Sequence, residues 1–139
     1  MALGRNAKID LLKSVPLFAG CSKNELREVA LEAAEIYPRE GEVLTKEGRP
    51  GREFFVLVTD TARVARNGRK LADLGPGDWF GEIALLTAAP RTATVTATSL
   101  VDVLVITDRG FKRVVDTMPS IALKVLACVG GRLAHDATS

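Results

Sequence analysis

The spacing of apolar residues changes period twice along the chain. Near the start, Ile9, Leu11, Leu12 and Val15 predict a short helix that stops before Pro16. Ser22-Lys23-Asn24-Glu25 then matches a capping box: the serine hydroxyl accepts a backbone N–H while the glutamate reaches back to the serine N–H. Leu26, Val29, Ala30 and Ala33 follow at helical spacing, on one face. From about Ile36 to Ile106 the pattern becomes short apolar runs (Val43-Leu44, Phe54 to Val58, Val101 to Ile106) separated by Gly, Pro and Asp or Asn. Arg66-Asn67-Gly68-Arg69 reads as a two-residue hairpin, where Asn-Gly supplies positive φ angles. Thr92 to Thr98 alternates threonine with small apolar residues, as a strand with one buried face does.

Helical spacing returns after Asp108, the expected N-cap, with Phe111, Val114, Val115 and Met118. Pro119 breaks that helix and opens the next, whose inner face is predicted as Ala122, Val125, Leu126, Val129 and Leu133. Gly130-Gly131 is an expected fraying point. Helices flanking many short strands with glycine turns indicate an antiparallel sandwich or jelly roll. The 139 residues fit one domain.

Composition narrows the classes. With 47% hydrophobic and 26% charged residues the chain is an ordinary globular sequence, neither disordered nor disulfide-stapled. Nineteen Lys and Arg against 17 Asp and Glu leave a net charge of +2, which gives no reason to expect nucleic acid as a partner. The densest basic stretch, Arg63, Arg66, Arg69 and Lys70, reads as a solvated hairpin edge. Cys21 and Cys128 read as small hydrophobes. His135 is the sole histidine, which excludes a multi-histidine metal site. No apolar stretch is long enough for a bilayer and no signal peptide is evident, so no membrane partner is expected and cytoplasmic is the default.

Candidate chemistry concentrates between Gly75 and Val95. Gly81-Glu82-Ile83-Ala84 reads as a short helix start among strands, whose open N–H groups suit an anion. Gly81 permits close approach. The planar fork of Arg91 can hold a phosphate through two parallel bonds, and Thr92 adds a hydroxyl. A carboxylate such as Glu82 beside phosphate suits sugar hydroxyls, which donate to it. Phosphate plus ribose points to a nucleotide. The usual glycine-rich di- and triphosphate cradles are missing, so a single compact phosphate fits better. Taken alone, Glu82 and Arg91 also fit a plain ion pair, with Gly81 as a turn.

The longer string resembles the phosphate-binding cassette of the cyclic nucleotide-binding domain family, found in the bacterial cAMP receptor protein, cyclic-nucleotide-dependent kinases and cyclic-nucleotide-gated channels. The matching residues are Phe80-Gly81-Glu82-Ile83-Ala84-Leu85-Leu86, three spacers, then Pro90-Arg91-Thr92-Ala93-Thr94-Val95. Gly41, Gly48, Gly51, Gly75, Gly77 and Val15-Pro16-Leu17-Phe18 match as well, so the likeness runs over roughly residues 10 to 133. The resemblance implies an α+β fold: an antiparallel β jelly roll (double-stranded β-helix) with N-terminal helices and two C-terminal helices. It divides a single domain into residues 1–35, 36–107 with the cassette at 80–95, and 108–139 as hinge and lid.

By the same resemblance Glu82 binds the ribose 2′-hydroxyl and Arg91 the exocyclic phosphate oxygens. Backbone N–H groups around Ala84 and Ala93 complete the phosphate cage. Thr92 reaches the phosphate or, in cGMP-preferring members, the guanine amino group. The last helix is a lid over the base, and Arg132 stands where some members place a lid arginine; it fits a solvated helix-face arginine equally well. Thr59-Asp60-Thr61 departs from the family's usual glycine turn, although Asp tolerates the left-handed conformation.

The implied function is a stand-alone sensor of cAMP or cGMP that catalyses nothing, needs no metal or cofactor, and rearranges its C-terminal helices on binding. Met1 and the polar tail suggest a complete small protein, and no helix-turn-helix follows the last helix. The expected partners are the cyclic nucleotide, a protein effector in trans and a second copy forming a homodimer. The alternative is a degenerate module that kept the fold as an interaction or dimerisation surface. A metal enzyme of jelly-roll architecture is disfavoured because it needs several converging histidines or carboxylates.

Overall fold

The computed structural model describes residues 3–85, 87 and 89–128. Helix α1 (Arg5–Ser14) ends before Pro16, which opens a one-turn 3-10 helix, Pro16–Phe18. Helix α2 (Lys23–Glu32) carries both arms of the expected capping box: Glu25 N–H donates to the Ser22 hydroxyl at 3.2 Å, and Ser22 N–H donates to the Glu25 carboxylate at 2.8 Å. Leu26, Val29, Ala30 and Ala33 are all buried, as their spacing predicts.

Eight strands follow among the described residues: β1 (Ala34–Ile36), β2 (Val43–Thr45), β3 (Glu53–Thr59), β4 (Ala62–Arg66), β5 (Arg69–Leu74), β6 (Trp79–Phe80), β7 (Thr94–Ala97) and β8 (Asp102–Thr107). They form two four-stranded sheets ordered β1-β8-β3-β6 and β2-β7-β4-β5, with neighbouring strands antiparallel throughout. This is the expected jelly roll. Asn67 and Gly68 have φ of 53° and 76°, the conformation the Asn-Gly hairpin requires. Asp60 takes φ 65° in the turn where a glycine is usual.

Three expectations are corrected. The cap of α3 (Asp108–Thr117) is Thr107, whose hydroxyl accepts the Gly110 N–H at 2.9 Å; Asp108 is the first helical residue. Strand β8 delivers Thr107 in the extended conformation that an N-cap needs, and Asp108 then faces the positive helix end. The strand expected over Thr92 to Thr98 spans only Thr94–Ala97, because the ladder to β4 ends at Ala65↔Thr94 where β4 enters its turn.

The third correction concerns α4 (residues 120–128), which follows Pro119. It buries Ile121 and Val125, whereas Leu126, expected on the inner face, is 54% exposed. A polar anchor sets this phase. Glu25 is 2% exposed, and its carboxylate accepts the Ser120 hydroxyl at 2.7 Å and the Lys124 ammonium. Hydrogen bonds from Lys124, the Ser22 N–H and Ser120 hold the Glu25 carboxyl down at about 2. Val129 and Leu133 of the expected face, the Gly130-Gly131 pair and His135 lie outside the described residues.

One core joins α1, α2, β3, β8, α3 and α4 through residues such as Leu12, Phe18, Leu26, Phe54, Ile106, Phe111 and Ile121. Cys21 is buried in it, with its thiol pushed up to about 11 by burial and the Glu25 charge, and half-buried Cys128 packs against it. No helix among the described residues is long and apolar enough to cross a membrane.

The carboxyls of Glu35 on β1 and Asp102 on β8 meet within hydrogen-bonding reach, and each has a buried oxygen that no other donor serves. One shared proton satisfies both. Burial and the Glu35 hydrogen bond push Asp102 up to about 7; Asp102, the Leu3 N–H, Tyr37 and nearby Lys8 lower Glu35. An unfolded Asp ionises near pH 3.8, so the folded state binds more protons between about pH 4 and 7, and stability falls as pH rises through that window. Asp102→Asn supplies an N–H donor without titrating. Urea midpoints measured from pH 5 to 8 should fall for wild type and stay nearly level for the variant.

Candidate functional site

The segment singled out in the sequence lines a cavity of about 350 Å³, a volume in the range of small-ligand sites. The rest of the lining includes Thr45 on β2, Val64 and Arg66 on β4, and Leu71 on β5. Trp79 and Phe80 of β6 lead into Gly81, and a one-turn 3-10 helix, Glu82–Leu85, follows. Gly81, Glu82, Arg91, Thr92 and Ala93 all line the cavity. Ile83 and Ala84 lie in the 3-10 turn. Arg132 lies outside the described residues.

Arg91 is set into backbone. Its Nη2 donates to the Glu53 carbonyl at 2.6 Å, and its guanidinium carbon stands 6.0 Å from the Phe55 ring centroid. Phe55 is itself stacked on Phe80 at 4.7 Å, which β3–β6 pairing brings opposite. Two glycines make room. A Cβ on Gly51 would lie 2.7 Å from Arg91 Nε, and one on Gly81 would lie 2.5 Å from Arg91 Nη1 and 2.7 Å from the Glu53 carbonyl oxygen. Burial lowers the Arg91 pKa, while the Glu53 and Glu82 charges oppose that shift; a guanidinium stays cationic in any case.

The approach to Arg91 is braced by the segment before β3. Arg91 N–H donates to the Arg49 carbonyl and Gly48 N–H to the Arg91 carbonyl, each at 2.8 Å, and Gly51 N–H reaches the Ala89 carbonyl at 3.1 Å. Residues 48–51 and 89–91 thus form a short two-stranded brace around a Pro50–Pro90 bridge. On the far side of Thr92, the Thr45 hydroxyl donates to the Ala93 carbonyl at 3.4 Å.

Sequence reasoning missed several contributors. Gly51 was legible only as turn punctuation, and Glu53 contributes a carbonyl, which carries no side-chain signal. Arg63, Arg66, Arg69 and Lys70 are exposed on the hairpin, as expected, yet Arg66 also lines the cavity and its Nε–H donates to the Thr92 carbonyl at 2.8 Å. Its place just ahead of the Asn-Gly turn was the available signal. Among the described residues no group of three His, Cys, Asp or Glu side chains is placed to hold a metal ion.

Comparison with known proteins converges on this region. Residues 35–118 match the family profile described as cyclic nucleotide-binding domain. The chain is 37% identical over 106 residues to a cAMP-dependent protein kinase regulatory subunit of Debaryomyces hansenii, a match covering 75% of this chain and 23% of that protein. It is 35% identical over 114 residues to a cyclic nucleotide-gated potassium channel of Mesorhizobium japonicum, covering 81% and 31%. The chain therefore spans less than a third of the length of these relatives. The N-terminal domain of a transcriptional regulator from Streptomyces coelicolor A3(2) superposes with a TM-score of 0.83 at 28% identity, over 94% of this chain and 96% of that one.

The glycine seats differ in what they tolerate. Gly41 has φ +86° but open space, so Gly41→Ala carries only left-handed strain, about 1–2 kcal/mol. Gly81 has φ +84° and would also drive its Cβ into backbone and the guanidinium, which adds roughly 1–3 kcal/mol. Urea denaturation should rank Gly81→Ala well below Gly41→Ala; equal losses would show that the seat around Arg91 is loose.

Proposed function

The chain belongs to the cyclic nucleotide-binding domain family, and on that premise we propose that it is a non-catalytic sensor that binds cAMP or cGMP in the cavity between Glu82 and Arg91. The observation that carries this reading is the seat of Arg91. A guanidinium already fixed by a carbonyl, an aromatic ring and two glycines meets a phosphate with little ordering left to do. Glu82, on the same cavity wall, takes the ribose 2′-hydroxyl, since an ionised carboxylate accepts and a hydroxyl donates. N–H groups around Ala84 and Ala93 complete the phosphate site, and the Thr92 hydroxyl faces phosphate or base. The name of the kinase relatives favours cAMP among the two nucleotides.

The output runs through the C-terminal helices. Leu85, at the end of the 3-10 turn that begins with Glu82, is buried in the same core as Phe111, Val114, Ile121 and Val125. A ligand that draws on Glu82 therefore bears on α3 and α4, and it shifts their arrangement by as much as its affinity differs between the two states. A separate effector protein reads that shift, or a second copy does so within a homodimer.

Calorimetric titration of nucleotide-free protein tests the assignment. Arg91→Ala should bind cAMP and cGMP at least about tenfold more weakly, because hydrogen bonds to charged groups contribute about 1.5–3 kcal/mol each. Glu82→Gln should cost less, and a 2′-deoxy ligand should reproduce that smaller loss on wild type. An Arg91→Ala protein that binds like wild type would sink the assignment and turn attention to a module that kept only the fold.

A further inference from the structure

Thr92 is held on both sides by its neighbouring peptide groups. The Arg91 carbonyl accepts the Gly48 N–H at 2.8 Å, and the Thr92 carbonyl accepts the Arg66 Nε–H at 2.8 Å. Neither the Thr92 N–H nor its hydroxyl makes a hydrogen bond among the described residues, although Thr92 lines the cavity beside Arg91. A trans peptide is planar with its C=O and N–H opposed, so fixing the Arg91 carbonyl on Gly48 turns the Thr92 N–H away from the 48–51 brace.

Arg66 makes the second hold in a place where backbone cannot. The β4–β7 ladder stops at Ala65↔Thr94, and the chain at Thr92 has already left the sheet. The side chain of Arg66 continues the attachment by two residues. The hairpin tip that carries Arg66 is itself tied in: the Asn67 N–H donates to the Glu47 carboxylate at 3.0 Å, and the Glu47 N–H donates to the Thr94 hydroxyl at 3.1 Å. Four consecutive cassette residues are thereby clamped, Arg91 to Gly48, Thr92 to Arg66, Ala93 to Thr45 and Thr94 to Glu47.

We propose that Arg66 is a positioning residue of the site: by holding the Thr92 carbonyl it fixes the Thr92 N–H and hydroxyl as donors aimed at the bound anion. It acts through Thr92. The proposal rests on the cyclic nucleotide reading above, which supplies the phosphate oxygens that those donors would serve. It also gives one arginine of the basic hairpin a task that its exposed neighbours lack. Arg69 pairs with Arg66 across the turn, and its side chain makes no hydrogen bond among the described residues, so it serves as the control.

The test combines calorimetric titration of cAMP and cGMP with the ¹H–¹⁵N resonance of the Thr92 amide, in wild type, Arg66→Ala, Arg66→Lys and Arg69→Ala. Wild type should show a downfield shift of the Thr92 amide on binding. Arg66→Ala should lose roughly tenfold in affinity for both nucleotides and most of that shift, as expected for misplacing one hydrogen bond to a charged group. Arg66→Lys, which keeps a donor for the carbonyl, should recover part of both, and Arg69→Ala should match wild type. Arg66→Ala binding with wild-type affinity and an unchanged Thr92 shift overturns the positioning role alone. A lost affinity with the Thr92 shift intact also overturns it, since Arg66 would then touch the ligand itself. Wild type that binds neither nucleotide overturns the function, and the role of Arg66 with it.

Discussion

The site depends on where one guanidinium is kept. A free arginine side chain samples many rotamers, and holding it in place costs entropy that a ligand must otherwise meet. Here the cost is met on folding. The Glu53 carbonyl takes Nη2, the Phe55 ring stands under the guanidinium, and Gly51 and Gly81 leave the space that a Cβ would fill. Glu53 and Phe55 come from β3, Gly51 from the 48–51 brace and Gly81 from the end of β6, so the arginine is correctly placed only when β3, β6 and the brace are all in register.

A buried charge organises the helices. Glu25 closes the capping box of α2 and anchors Ser120 and Lys124 of the last helix, so one carboxylate ties helices from both ends of the chain. Its three hydrogen-bond donors compensate the desolvation that would otherwise make a nearly inaccessible carboxylate costly. Leu85 stands on the same turn as Glu82 and in the same core as Ile121, so the cavity wall and the C-terminal helices share packing.

Local signals in the sequence carried far. The Ser22 to Glu25 capping box, the Asn67-Gly68 turn and the apolar face of α2 each depend on neighbours a few residues away, and each forms as read. Glu82, Arg91 and Thr92 were legible because their chemistry is in their side chains, and the cavity brings them together. What was not legible is long-range or backbone-borne. Gly51 and the Glu53 carbonyl matter through a register that no local pattern specifies. Arg66 looked like one more solvated charge until the ladder was seen to end beside it. Asp108 and Thr107 are both good caps, and the end of β8 decided between them. Leu126 faces solvent because Glu25 fixes the rotation of α4 through polar contacts that apolar spacing does not encode.

The most direct measurement is the ¹H–¹⁵N resonance of the Arg91 Nε–H, identified by its loss in Arg91→Lys, during titration with a cyclic nucleotide and separately with the nucleoside that lacks the phosphate. A phosphate seated on a preorganised guanidinium predicts one saturable downfield movement of that signal with the cyclic nucleotide and none with the nucleoside. An Arg91 signal indifferent to the cyclic nucleotide, or moved equally by both compounds, would contradict it.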